Sequence, residues 1–165
     1  MFEKQYMLKG KHATYAKFLS LTTLKKNKDA KIAGVFRANI DIYLVAPLIG
    51  VNFNLKSEED TISNDELAIF AEQLISQQDN LINVFRLVML SENSSNLSDD
   101  ERIERAFKED EDSEKLAANM ELFHKYMRGG IEWLYDQFTE EASTKDDYLA
   151  KILKVTQTYK LETFM

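Results

Sequence analysis

Glu121-Leu122-Phe123-His124 sets a carboxylate and an imidazole three residues apart, which on a helix places them on one face. Glu-x-x-His pairs of this kind supply ligands to carboxylate-bridged di-iron bundles, where two such pairs and two further glutamates are needed. The other histidine, His12, has Lys9 three residues before it, so the ligand set cannot be completed from this chain. Gly10-Lys11 has the ending of a phosphate-binding loop, but Gln5 occupies the place of its first glycine and His12 that of its hydroxyl residue. With no cysteine there is no thiol nucleophile, thiolate metal site or disulfide. Neither a catalytic constellation nor a cofactor is therefore expected.

Asp41 stands inside the most apolar stretch of the chain, four residues after Arg37, and the two read as a buried ion pair. Together with Tyr43, Glu121 and His124 they define a polar site in a helical core, as a small-ligand or metal-binding helical enzyme would use. The acidic runs at Glu58–Asp60, Asp99–Glu101 and Glu109–Asp112 lack the spacing and glycine of a calcium loop and read as solvated faces.

Charge is distributed unevenly. Met1 to Arg37 holds nine basic residues against Glu3 and Asp29, a net of +7; the whole chain carries −7, so the remainder carries −14. Lys9, Lys11, Lys17, Lys25, Lys26, Lys28 and Lys31, interleaved with Tyr6, His12, Tyr15 and Phe18, form a basic segment over 1–31 that could contact phosphate and stack on bases. A second surface is expected around Arg128, Gly129, Gly130, Trp133 and Tyr135, because tryptophan, tyrosine and arginine anchor protein contacts.

These residues must be positioned by helices. One proline and five glycines in 165 residues leave few breakers, and 44% hydrophobic with 30% charged residues is a soluble, folded composition. Capping boxes at Ser63–Glu66 and Ser98–Glu101 predict helix starts, the first opening a helix over 64–77. Asp79 opens a run so apolar that the helix is expected to be almost wholly buried.

From Ser113 to Phe138, the residues Leu116, Met120, Phe123, Met127, Ile131, Leu134 and Phe138 recur at three and four residues, a near-heptad seam. Gly129-Gly130 inside it predicts a kink or a close approach to a neighbour. The last helix follows Asp146 or Asp147 and is expected to bury Tyr148, Leu149, Ile152, Leu153, Val155 and Tyr159. Toward the N-terminus, 2–8 reads as a strand or irregular arm, 12–24 as a helix, 25–30 as a basic turn and 32–45 as a helix that Pro47 ends or kinks.

The fold expected is all-α: one domain over 1–165, a bundle of five to seven helices with a short N-terminal strand or arm, and residues 1–31 packed on it or flanking it. Ile40–Phe53 is too short to span a bilayer and Met1–Gly10 has no apolar leader, so a cytoplasmic location is expected. Three functions fit this pattern. A non-enzymatic interaction protein would act as adaptor, inhibitor or subunit of a complex, with another protein as partner, through its acidic body and basic N-terminal segment. A nucleic-acid-associated factor would use the N-terminal lysines. The helical enzyme or small-ligand binder is the third. The seam of 116–138 also suits a homo-oligomer.

Overall fold

The computed structural model describes residues 1–22, 34–139 and 145–163, and the chain is a helical bundle with one short two-stranded sheet. Strand β1 (Tyr6–Lys9) runs directly into α1 (Gly10–Leu19). Gly10 makes that junction with φ of 59°, a conformation that favours glycine, and the Asp60 side chain occupies the space a Cβ would need. Lys9, at the N-cap, offers no side-chain acceptor; the Lys11 amide instead donates to Asp60 Oδ2 at 2.7 Å and the Gly10 amide to the Asp65 carbonyl at 2.8 Å. A helix start that lacks a local cap is completed by a loop about fifty residues away.

Helix α2 (Asn39–Asn52) lies at the centre, packed against α1, α4 (Gln78–Ser91) and most extensively α6 (Ser113–Phe138). The sequence pattern places its start near Ile32. The structure starts it at Asn39, because Phe36 pairs with Ser20 in a parallel bridge and its amide donates to the Leu19 carbonyl at 2.9 Å. Asp41 fixes the start by accepting the Ala38 amide at 2.9 Å. Pro47 neither ends nor divides the helix, which continues to Asn52. A helix-interior proline costs about 3 kcal/mol; burial of Ile42, Tyr43, Ala46 and Ile49 along the same helix outweighs that cost.

The capping box at Ser63 does not open a helix. Ser63 Oγ accepts from the Asp65 amide, and Glu66–Ile69 forms β2, antiparallel to β1 with Tyr6 opposite Ile69 and Lys9 opposite Glu66. The local helical signal loses to a partner strand supplied from elsewhere, since pairing buries Leu8 and Ile69 almost completely. Helix α3 is confined to Ala71–Ser76. Helix α4 buries Leu81, Phe85, Val88 and Met89 but leaves Leu87 exposed, so it is one-faced rather than buried all round.

Ser98 caps α5 (Asp99–Phe107) as its sequence predicts, receiving the Glu101 amide while Glu101 Oε2 accepts the Ser98 amide at 2.8 Å. A single 3-10 turn over Glu109–Glu111 leads to α6, whose first amides are capped by Asp112. Helix α7 (Lys145–Thr163) lays Ile152, Val155 and Tyr159 toward the core and leaves Leu149 and Leu153 exposed, contrary to the apolar face its sequence suggests. The predicted basic turn over 25–30 lies outside the described residues.

Gly129-Gly130 produces a close approach within a continuous α6. A Cβ on Gly130 would overlap the Ala46 carbonyl, one on Gly50 the Tyr126 carbonyl, and one on Gly129 the Leu55 carbonyl. Tyr43 lies against Phe123, Ala46 against Gly130, Gly50 against Tyr126 and Phe53 against Trp133, so the two helices cross at this contact. The α2-to-α6 connection carries β2 and α3 to α5. Gly130→Ala is expected to destabilise the protein by about 1–3 kcal/mol through overpacking against backbone, read as a lower urea midpoint. In an exposed helix the same change would stabilise by up to about 1 kcal/mol, and such a gain here would refute the close approach.

Candidate functional site

Two surfaces were expected from the sequence, and the residues of the second make contacts within the chain. Arg128 is 3% exposed: its Nε donates to the Ser57 carbonyl at 2.8 Å, one terminal nitrogen to Tyr6 Oη at 3.3 Å and the other to Glu121 Oε1 at 2.6 Å. Gly129 and Gly130 are buried against backbone, Trp133 stacks on Phe53 with ring centroids 5.1 Å apart, and Tyr135 stacks on Tyr15 at 3.7 Å. These contacts hold α6 to the N-terminal segment and to the end of α2, with Trp133 and Tyr135 half-buried.

The basic segment is also partly neutralised. Lys9 pairs with Glu59 at 3.2 Å, Lys11 with Glu132 at 3.0 Å, and Lys17 with Asp65. Lys25, Lys26, Lys28 and Lys31 lie outside the described residues. Arg37 and Asp41 do not form the predicted ion pair: Arg37 is exposed and Asp41 is turned to the Ala38 amide. A carboxylate at the first turn of a helix is better satisfied by the free amides there than by a flexible surface guanidinium.

Tyr43, Glu121 and His124 do come together. Glu121, His124, Arg128 and Glu132 recur along one side of α6 and face β1, α1 and the loop around Ser57. Tyr43 Oη and His124 Nε2 are 2.7 Å apart, and the His124 ring stacks on Tyr6 at 4.1 Å. Burial pushes His124 down to about 3, aided by the Arg128 charge, so the imidazole is neutral. Burial raises Tyr6 to about 12 against the pull of Arg128, and lifts Tyr43 well above the usual tyrosine range.

One turn further along, His12 is fully buried with Nε2 2.8 Å from Glu132 Oε1 and 3.2 Å from Ser57 Oγ, while its Nδ1 has no partner among the described residues. Ser57 and Lys11 also donate to Glu132, and these bonds outweigh burial and hold its carboxyl below the usual range. The group has a serine, a histidine and a carboxylate but not the order of a catalytic triad, because serine and carboxylate share one ring nitrogen and nothing orients the other. The arrangement holds α1, α6 and the loop in place.

Ser57, Asp60 and Tyr6 carry no local signal in the sequence; their roles arise from separations of 45 to 122 residues. Among the described residues, no group of three or more His, Asp or Glu side chains is placed to hold a metal ion, and no helix is long and apolar enough to cross a membrane.

The strongest unbalanced surface lies at the opposite end of α6. Over 99–115, Arg102 turns inward to the carbonyls of Leu97 and Leu90 and to Asn93, and Arg105 to Asn119 and to Glu92. Glu92 is fully buried; bonds from Ser94, Ser95 and Tyr126 overcome the effect of burial and keep it ionised as the counter-charge. Asp99, Asp100, Glu104, Asp110, Glu111 and Glu114 are exposed and enter no ion pair among the described residues. Between them, Ile103 and Phe107, one helical turn apart, are 49% and 48% exposed.

Comparison with protein-family models, with curated proteins and with solved structures finds no match to this chain.

The two histidines make stability depend on acid. In the unfolded chain each takes its proton near 6.5; folded, both hold it only at lower pH, His124 near 3. Below pH 6.5 the unfolded state therefore binds more protons, and stability is full above that value and lost as pH falls toward 3. His124 contributes a loss of about 1 kcal/mol per pH unit in that window. Urea titrations between pH 7 and 4 should show the decline, and it should be shallower in His124→Phe; an unchanged slope would place the titrating group elsewhere.

Proposed function

We propose that the protein is a non-enzymatic interaction module whose acidic face, formed by α5, the following 3-10 turn and the first turn of α6, receives a basic segment of another protein. The observation that carries this reading is the division of charge over 99–115: Arg102 and Arg105 turn to carbonyls, Asn93, Asn119 and Glu92, and Lys115 pairs with Glu109. Among the described residues, six exposed carboxylates and one exposed lysine, Lys108, then stand without ion pairs around Ile103 and Phe107, whose ring also meets Arg86. A surface with carboxylates around an apolar pair is complementary to an amphipathic helix with lysines flanking leucines. Steering by unpaired carboxylates speeds encounter, and burial of the two apolar side chains sets residence. An adaptor, an inhibitor of a basic binding surface, or a subunit of a complex would all use such a face.

The nucleic-acid reading draws less support, since Lys9, Lys11 and Lys17 are each ion-paired within the chain.

A synthetic amphipathic helix of alternating lysine and leucine faces, titrated into the 15N-labelled protein, tests the reading. Shifts are expected to concentrate over 99–115, to weaken steeply with salt, and to fall at least about tenfold in affinity in the double variant Ile103→Asp, Phe107→Asp, a loss of about 1.4 kcal/mol. Shifts that map instead to Glu58–Asp60, or that survive the double variant, would overturn it.

A further inference from the structure

At the end of α6 opposite the acidic face, residues of α2, α6 and α7 line an open cavity of about 390 Å³. Its size falls within the range for small-molecule sites, about 300–1,000 Å³, which in helical bundles form between helices. The buried residues Ile49, Leu134 and Phe138 make its floor, and Val45, 37% exposed, and the exposed Thr156 lie at its mouth. Helix α7 reaches the core through Ile152, Val155 and Tyr159, none of which is itself buried, so the helix borders this space without filling it. Protein interiors are close-packed, and voids larger than a water molecule are few.

The wall decides what enters. Among the described residues, no charged side chain lines the cavity, at the floor or at the mouth. Its polar side-chain groups are the hydroxyls of Thr156 and Tyr159 and the indole N–H of Trp133, and the Thr156 hydroxyl already donates to the Ile152 carbonyl at 2.8 Å. Water held there finds few of the about two to four partners that fix an interior water, and its replacement by apolar surface is favourable. A carboxylate or ammonium would lose hydration and meet no counter-charge. The same holds at the mouth, where the head group of an amphiphile would rest. One turn of an α-helix, about 10–12 Å across and about 5.4 Å long, would already overfill the space, which therefore suits a small molecule better than a partner helix.

We propose that this cavity binds a small, uncharged, hydrocarbon-rich molecule, seated on Ile49, Leu134 and Phe138 and flanked by Ile152 and Val155 of α7. The site is separate from the acidic face and does not depend on its role. Trp133, the single tryptophan of the chain, lines the cavity and so reports on its contents.

The probe is 1-bromopentane, because bromine quenches tryptophan fluorescence on contact. Titrated into the full-length protein, it should quench Trp133 along a saturable curve with a Kd on the order of 0.1 mM. Its charged counterpart 5-bromopentanoate, with the same chain and bromine, should bind at least about tenfold more weakly. Val45→Phe, which fills the cavity from its mouth, should weaken 1-bromopentane by a similar factor, and Val155→Phe is the second filling variant should the first lose its native spectrum. Quenching that rises linearly without saturation, equal saturation by 5-bromopentanoate, or an unchanged curve in a folded filling variant would each overturn the proposal. So would a dimer that 1-bromopentane dissociates in sedimentation velocity, since the cavity would then belong to a second copy of the chain.

Discussion

The contact of two helix backbones at Ala46–Gly50 and Tyr126–Gly130 is the constraint on which the other features rest. Each helix offers a glycine to the other's carbonyl, and neither position has room for a Cβ. Glycine costs about 1 kcal/mol relative to alanine in a helix interior, yet here it allows α2 and α6 to approach closely enough for Tyr43 to reach His124 and for Phe53 to stack on Trp133. The connection between them carries β2, which pairs back to β1, and three of the helices.

Once α6 is held in this way, its sides are set to different tasks. The seam of Phe123, Met127, Ile131 and Leu134 enters the core. The line of Glu121, His124, Arg128 and Glu132 receives the N-terminal arm, the start of α1 and the loop at Ser57. Buried polar groups are costly unless partnered, and here they are partnered across the fold, which makes the arm and loop integral to the bundle. Asp60 and Asp65 complete the same junction by serving the amides at the head of α1.

The acidic end has the opposite logic. Glu92 is buried and needs cations, and Arg105 answers it together with Lys56. A guanidinium spent on an interior carboxylate cannot balance the surface above it. The outward negative charge of α5 is in this sense a consequence of how the interior is satisfied, and it leaves a charged and partly apolar face whose chemistry suits a basic partner.

The sequence by itself determined the helical class, the limits of α6 and the cap of α5, because periodicity over many residues and an adjacent Ser-x-x-Glu are local signals, and it left the N-terminal segment open between a strand and an irregular arm. It also singled out Tyr43, Glu121 and His124 as polar groups in an apolar setting, although not the partners they take. Tertiary structure alone decided that Glu66–Ile69 is a strand, that Pro47 sits within a helix, and that Arg128 faces inward while Trp133 and Tyr135 stack on Phe53 and Tyr15. The physical reason is common to all three. A strand needs a partner, a proline needs packing to offset its lost bond, and an amphipathic side chain follows whichever surface comes to lie against it; each of these is supplied by residues distant in the chain.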